Sequence, residues 1–286
     1  MTDERLVDMH VHSNASDGSY TPSEVADLAI DAGLRAIALT DHDTVDGVAE
    51  IMEYTADKDI EVIPGIELSA YYKNREVHIL GYYMDYNNEG LKNELDAMKK
   101  ARLDRNLRMI ELMQADGLPV TLEKLLHGNP DSVITRAHFA RVLVEEGVCR
   151  DKNQAFARYI GIGCKYYLPK ANITAEKAMG IIADYGRAAY LAHPLLYHFG
   201  YAQIEELLEY LKEYGLKGVE AYHSSNNRYE SEKLSAIARK HELKVSGGTD
   251  FHGVVKPNIK IGEGRGTMRI PYSLVEELKS VAGVKA

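Results

Sequence analysis

The sequence predicts an α/β fold in which a parallel sheet or barrel is interrupted by a helical insertion. Short apolar runs alternate with amphipathic helical patterns, as is typical of βα units. The middle of the chain, residues 87–165, is helical in pattern almost throughout. Acids and histidines recur where the predicted strands end, which is where barrel enzymes carry their sites.

Four strands and two helices are predicted before the insertion. The first helix begins at a capping box formed by Thr21 and Glu24 and ends at Gly33. The second helix covers Val45–Asp57. The strands are Leu6–His12, Ala36–Thr40, Glu61–Ser69 and Val77–Tyr83.

The insertion and the second half of the barrel follow. The insertion contains helical patterns at Leu91–Ala115, Leu122–Leu126, Arg136–Glu146 and Asn153–Tyr159. The alternation then resumes with strands at Ala188–Ala192, Gly218–Tyr222, Lys244–Gly248 and Thr267–Ile270, among four further helices. We therefore assign residues 1–86 and 166–286 to the barrel, and 87–165 to a helical domain that caps the active site.

The strand-end residues predict a metal centre. His10 and His12 are two residues apart on a strand, so both side chains leave one face, which Asp8 shares. The other candidates at strand ends or in the loops that follow are Asp17, Asp41, His42, Asp43, Glu67, His78, His193, Glu220, His223, Asp250 and His252. Imidazole with carboxylate suits zinc, manganese or iron, and so many ligands imply two or three ions.

Three of the acids have a different predicted role. Asp8, Asp41 and Asp43 are expected to orient the imidazoles that bind metal, with turn or capping roles as the alternative.

Composition excludes several classes of protein. The 34 lysines and arginines against 43 acids give a net charge of −9, which argues against a broad nucleic-acid-binding face and long-duplex DNA as a partner. No apolar run approaches the ~18 residues that a membrane span needs. Cys149 and Cys164 are too few for a disulfide framework, and the N-terminus lacks an apolar signal region, so we expect a cytoplasmic protein.

Six ordered motifs carry a family resemblance. They are Asp8–Ser13 with Ser16–Gly18, Thr40–Thr44, Pro64–Glu67, His78–Gly81, Ala192–Pro194 and Gly248–His252. In this order they resemble the PHP (polymerase and histidinol phosphatase) family, especially its stand-alone nucleotide phosphoesterases with a helical insertion. The resemblance implies a distorted seven-stranded β/α barrel that holds two or three divalent ions.

The same resemblance implies how the ligands are shared. One ion would use His10, His12, Glu67 and Asp250. Glu67 would bridge to a second ion held by His78 and His193, and Asp17, His42 and His252 would hold a third. Some branches of the family have histidine where this chain has Asp17. Because a carboxylate is the harder ligand, manganese is favoured over zinc or iron.

Substrate contacts are also implied by resemblance. Residues 134–139 resemble a Thr-Arg-Pro-His-Phe segment of the nucleotide phosphatases, with alanine in place of proline, so Arg136 is expected to bind phosphate. His223 matches a Tyr-His segment of the same branch. It is expected to donate a hydrogen bond to the substrate phosphate or to act as general acid. Lys165 and Lys170 are weaker substrate-binding candidates.

The function implied is that of a metal-dependent phosphoesterase acting on a small nucleotide. We expect hydrolysis of a terminal phosphate monoester or end-linked phosphodiester of AMP, a nucleoside 3′,5′-bisphosphate or a short RNA end. A metal-bound hydroxide would attack phosphorus in line, while Arg136 and the ions neutralise the phosphoryl oxygens. The alternatives are a histidinol-phosphate phosphatase, a C–N amidohydrolase and a non-catalytic metal-binding module.

Overall fold

The computed structural model describes residues 6–73, 75–127, 134–168 and 173–285. Its backbone contacts divide the chain into two compact units. The first comprises Met1–Lys92 with Ile173–Ala286 and contains the sheet, and the second is Asn93–Asn172. The boundaries of the capping domain drawn from the sequence, 87 and 165, remain a prediction.

Seven strands form one sheet in the first unit, in the order of the chain. They are β1 (Leu6–Val11), β2 (Leu34–Leu39), β3 (Glu61–Tyr72), β4 (Arg75–Tyr82), β5 (Ala188–Leu191), β6 (Gly218–His223) and β7 (Lys244–Gly248). The first three strands pair in parallel, as do the last three, whereas β4 runs antiparallel to β3 and β5. Only residues 73 and 74 lie between β3 and β4, which is too short for a crossover, so the chain returns as a hairpin.

The residues after β7 bring the two edges of the sheet together. The His12 N–H donates to the Phe251 carbonyl at 3.0 Å, and the Asp250 N–H donates to the His10 carbonyl at 2.9 Å. Gly248 permits this approach, because a Cβ atom there would collide with His10. The sheet is therefore a nearly closed seven-stranded barrel, and the predicted fold class is confirmed.

Ten α-helices accompany the strands in the described ranges. They are α1 (Pro22–Asp31), α2 (Val48–Tyr54), α3 (Glu89–Ala115), α4 (Leu122–Leu126), α5 (Arg136–Glu145), α6 (Lys152–Ala155), α7 (Ala175–Tyr185), α8 (Tyr201–Lys212), α9 (Arg228–Lys240) and α10 (Ser273–Ala282). The capping box of Thr21 and Glu24 forms as predicted at the start of α1. In the described part of the chain, no helix combines the length and apolar character needed to cross a bilayer.

Each unit has its own apolar core. In the first unit, Val275 and Leu278 of α10 pack with buried residues of β1 to β5, including Met9 and Tyr190. In the second unit, the core joins α3, α4, α5 and the turns between them, with Phe139 fully buried. A π-helical turn at Phe156–Ile160 follows α6 directly.

One predicted strand does not form. Thr267–Ile270 is irregular, and its contact with β1 is a single hydrogen bond in which the Val7 N–H donates to the Ile270 carbonyl at 2.9 Å. Pro271 follows immediately and has no N–H to continue a ladder. The prediction of an eighth strand is therefore wrong.

Asp8 fastens β1 to the chain beyond β7. Its Oδ1 accepts the Thr249 N–H at 2.9 Å, and its Oδ2 accepts the Thr249 hydroxyl at 2.5 Å and the Gly262 N–H at 2.9 Å. Asp8→Asn would turn an amide donor towards these donors. We expect the free energy of unfolding to fall by about 1–3 kcal/mol.

Urea denaturation measures this change. Asp31→Asn, at the exposed end of α1, is the matched control and should change the unfolding free energy by less than ~0.5 kcal/mol. An unfolding free energy for Asp8→Asn equal to that of the wild type would show that these bonds contribute nothing net.

Candidate metal centre

The predicted ligands converge at one edge of the barrel because of the strand directions. His10, His42 and His193 lie at or beyond the carboxyl ends of parallel strands. His78 lies near the start of β4, opposite Ser69 of β3. Since β4 is antiparallel to its neighbours, its start lies at the same edge as their ends.

Glu67 is the centre of the cluster. Its carboxylate is fully buried, and in the described structure five imidazole nitrogens lie within 3.2 Å of it. Oε1 lies 2.8 Å from both His78 and His193. Oε2 lies 3.2 Å from both His10 and His12 and 3.1 Å from His42. Because each oxygen faces its own set of imidazoles, the carboxylate has the geometry of a bridge between two ions.

Asp250 extends the group around His10 and His12. The Nε2 atoms of these two histidines are 3.0 Å apart. Asp250 Oδ1 lies 3.4 Å from His12 Nε2 and 3.8 Å from His10 Nε2. Ligand atoms of His10, His12 and Glu67 lie within 4.8 Å of one another, and Asp250 lies beside the two imidazoles, a donor set that suits a divalent ion.

A neighbouring group forms on the other side of His12. His252 Nε2 lies 3.1 Å from Asp17 Oδ1, and His42 Nε2 lies 3.9 Å from Asp17 Oδ2. Ligand atoms of His12, Asp17, His42 and His252 can all lie within 4.8 Å of one another. His12 Nδ1 lies 3.9 Å from Asp17 and is buried without a hydrogen-bond partner in the described chain, as expected of an atom that a metal or its water would satisfy.

The electrostatics of the cluster also fit bound cations. Burial raises the pKa of Glu67, but the imidazoles of His42, His10 and His78 outweigh this effect and hold that pKa well below its usual range. Burial lowers the pKa of His12, but hydrogen bonds to Asp250 and Glu67 raise it to about 9. The carboxylates thus attract positive charge, and divalent ions would displace protons from such imidazoles.

Backbone strain is concentrated at this edge. Asp43, His193 and Asp250 have φ angles of 53°, 20° and 55°, in a region that residues other than glycine rarely adopt. Such conformations persist only where surrounding contacts fix them, and they cluster at functional sites.

Glu220 fixes the position of His10, whereas the sequence analysis named it only as a candidate at a strand end. Its fully buried carboxylate pairs through Oε1 with His10 Nδ1 at 2.9 Å and accepts the His193 N–H through Oε2 at 2.7 Å. His10 Nε2 is thereby directed towards Glu67 and Asp250. The position of Glu220 at a strand end, three residues before His223, was the available signal.

The carboxylates expected to orient imidazoles bind other groups. Asp8 holds Thr249 and Gly262, as described above. Asp41 accepts the Ser13 N–H at 2.8 Å and both the Ser13 and Ser16 hydroxyls. Among the described residues, Asp8 and Asp41 hydrogen-bond to backbone and hydroxyl groups and to no imidazole ring, so they brace the segments that carry the ligands. Asp43 Oδ1 accepts the Ser69 N–H at 2.7 Å.

His223 lies beside the cluster in a defined tautomer. The Ser225 N–H donates to His223 Nδ1 at 3.1 Å. Because a backbone N–H can only donate, the neutral ring carries its proton on Nε2, which lies 3.4 Å from Asp250 Oδ2. Lys256 Nζ also reaches this oxygen, at 2.5 Å.

The substrate-binding candidates of the insertion lie in the second unit. The Arg136 guanidinium lies over two rings, 5.5 Å from the centroid of Tyr167 and 6.0 Å from that of Phe156. Thr135 caps the helix that Arg136 begins. Lys165 pairs with Asp116 at 2.5 Å, and Lys170 lies outside the described residues.

Comparison with known proteins identifies the family. The model of the PHP domain matches residues 8–162, more than half of the chain. The chain belongs to the PHP family. It is 34% identical over 248 residues to the 3′,5′-nucleoside bisphosphate phosphatase of Chromobacterium violaceum, covering 86% of this chain and 87% of that one.

Two further similarities support the assignment. The PHP protein is 31% identical over 249 residues to the 5′-3′ exoribonuclease Rnm of Escherichia coli, covering 86% and 85% of the two chains. A structure from Bifidobacterium adolescentis, assigned as a metal-dependent phosphoesterase, matches with a TM-score of 0.85 at 29% identity, covering 97% and 96%. The PHP protein is therefore a metal-dependent phosphoesterase, as the motifs predicted.

The bridging geometry of Glu67 gives a direct test by metal content. We expect elemental analysis of the wild-type protein, saturated with manganese, to give clearly more than one ion per chain. Glu67→Gln should lose most of this metal, because a neutral amide cannot balance two dications. Glu213→Gln, at an exposed position after α8, should bind as much as the wild type. Full metal content in Glu67→Gln would exclude the bridge.

Glu220 should affect metal affinity without touching metal. In Glu220→Gln, the neutral amide holds the His10 ring less firmly. We therefore expect manganese to bind about 10–100-fold more weakly, as measured by competition with a chelator. Glu213→Gln is again the control. Affinity in Glu220→Gln equal to that of the control would mean that the carboxylate does not position His10.

Proposed function

We propose that this PHP protein hydrolyses the terminal phosphate of a small nucleotide, a nucleoside 3′,5′-bisphosphate or the end of a short RNA. The observation that supports this proposal most directly is the Glu67 carboxylate, whose two oxygens face separate sets of imidazoles. This arrangement suits adjacent ions that act on one phosphoryl group. The names of the two curated relatives support nucleotide and RNA-end substrates.

The cofactor we propose is two or three divalent ions, with manganese favoured over zinc or iron. His10, His12, Glu67 and Asp250 would hold the first ion, and Glu67, His78 and His193 the second. Asp17, His42 and His252 would hold a third, where the carboxylate of Asp17 favours the harder metal. When bound, such ions supply a nucleophile at neutral pH and neutralise charge on the phosphoryl oxygens.

Two side chains of the protein are proposed to contact the substrate. His223 would donate a hydrogen bond from Nε2 to the phosphate, because a ring whose Nδ1 accepts the Ser225 N–H lacks the second proton that a general acid donates. Arg136 would bind a phosphate through its planar guanidinium, with Lys165 and Lys170 as weaker contacts. Stacking on Tyr167 and Phe156 restricts the guanidinium, which lowers the entropic cost of binding.

Substrate ends, not internal bonds, are the proposed targets. The net charge of −9 gives long nucleic acids little gain from counterion release. Affinity would then come from one terminal phosphate and its nucleoside. Small nucleotide substrates and two unpaired cysteines, Cys149 and Cys164, are consistent with a cytoplasmic location.

Substrate preference tests this proposal. With manganese present, we expect phosphate or nucleotide release from AMP, a nucleoside 3′,5′-bisphosphate or 5′-phosphorylated RNA to exceed release from histidinol phosphate. A linear 5′-phosphorylated oligonucleotide should be cleaved, and its circular counterpart should not, because the circle has no end to bind. Efficient cleavage of the circle would point to an endonuclease. Preference for histidinol phosphate would identify the other phosphatase of the family.

Arg136 is tested by its removal. For Arg136→Ala we expect kcat/KM to fall by about 10- to 150-fold, which corresponds to a charge-assisted hydrogen bond of roughly 1.5–3 kcal/mol. Metal content should match that of the wild type. Arg108→Ala, on the exposed face of α3, is the control and should leave kcat/KM at the wild-type value. Joint loss of metal and activity in Arg136→Ala would assign the residue a structural role.

A further inference from the structure

A cavity of the barrel unit is lined in part by His223, which lies beside the metal cluster. It has a volume of about 500 Å³, within the range of small-ligand sites, and lies where β6 meets the start of α9 and the segment before Pro271. Its lining includes His223, Tyr222, Arg228 and Arg269. The metal centre does not require this cavity, so its polar lining calls for a separate explanation.

His223 connects the cavity to the cluster. His223 is one of the lining residues, and its Nε2 lies 3.4 Å from Asp250 Oδ2. The other oxygen of Asp250 lies 3.4 Å from His12. A substrate whose end reaches the cluster past His223 therefore has this cavity as the adjoining space.

Two arginines and one acid, Glu232, line the cavity and give it a net positive charge, and both arginines can rearrange. Arg228 is almost fully exposed, and its one ion pair, through Nε to Glu232 at 2.7 Å, is an exposed pair of the weak i,i+4 type. Its two terminal nitrogens have no hydrogen-bond partner among the described residues. Arg269 is half exposed, donates to the Met268 carbonyl at 2.7 Å and lies 3.8 Å from Glu263. Both guanidinium groups can turn to a phosphate at little cost.

An aromatic surface lies in the same cavity. Tyr222 is 38% exposed although the rest of β6 is buried. A tyrosine ring beside guanidinium groups is the combination that binds single-stranded nucleic acid, because the ring stacks on any base while the cations pair with the backbone. A second phosphate alone would need no aromatic surface.

We propose that this cavity binds the second nucleotide of a short single-stranded RNA, the one next to the terminal nucleotide whose phosphate reaches the metal centre. Its backbone phosphate pairs with Arg228 and Arg269, and its base stacks on Tyr222. The inference rests on the proposed function, since the terminal phosphate occupies the metal centre. It deepens that function by naming the residues that bind the second nucleotide of a short RNA substrate.

The test compares two substrates in the manganese-loaded enzyme. The quantity measured is the ratio of kcat/KM for a 5′-phosphorylated RNA pentanucleotide to that for a nucleoside 3′,5′-bisphosphate. In the double variant Arg228→Ala, Arg269→Ala we expect this ratio to fall about tenfold or more. The salt dependence of log(kcat/KM) for the RNA should weaken by about 0.7 for each phosphate that the variant no longer binds. Arg239→Ala, which removes the same charge from the far end of α9, should keep the wild-type ratio.

Tyr222 is tested by a conservative pair of variants. Tyr222→Ala should lower the ratio, and Tyr222→Phe, which keeps the stacking surface, should restore it. An unchanged ratio in the double arginine variant overturns the proposal, as does a wild-type enzyme that cleaves the bisphosphate but not the pentanucleotide. If the double arginine variant loses kcat/KM on the bisphosphate but keeps it on a nucleoside monophosphate, the cavity instead binds the second phosphate of the bisphosphate. Failure of the wild type on every nucleotide would reject the proposed function itself.

Discussion

The buried carboxylate of Glu67 is the constraint on which the rest of the site depends. An anion without access to water is costly unless positive charge or hydrogen-bond donors surround it. Here the surroundings are five imidazoles, brought by residues as far apart as His10 and His193. They meet only if the sheet curves until its edges join. The same closure that buries Glu67 therefore assembles a site able to hold several cations.

Strand direction decides which residues join this cluster. A fully parallel barrel would leave the start of β4, and with it His78, at the opposite edge from the other ligands. The hairpin between β3 and β4 reverses one strand and brings His78 within 2.8 Å of Glu67. Short connections thus have a chemical consequence here, because they determine the set of imidazoles that faces each carboxylate oxygen.

A second set of residues positions the ligands. Glu220 holds His10 and the backbone of His193, the Ser225 N–H sets the tautomer of His223, and Asp8 and Asp41 brace the loops around them. These contacts are fully or largely buried, and several are made to backbone groups. They allow strained positions such as Asp250 to persist, and they present imidazole nitrogens in fixed directions, as catalysis with metal ions requires.

The sequence by itself determined the alternation of strands and helices, the residue types at the strand ends and the presence of a metal centre, because periodicity and ligand chemistry are local properties. The ordered motifs added the family, and with it the barrel. Only the tertiary structure decided that Thr267–Ile270 forms no strand, that Glu220 holds His10, and that Asp8 and Asp41 bind loops instead of rings. These facts depend on partners that are distant in the chain and on the direction of each side chain. No local pattern encodes either.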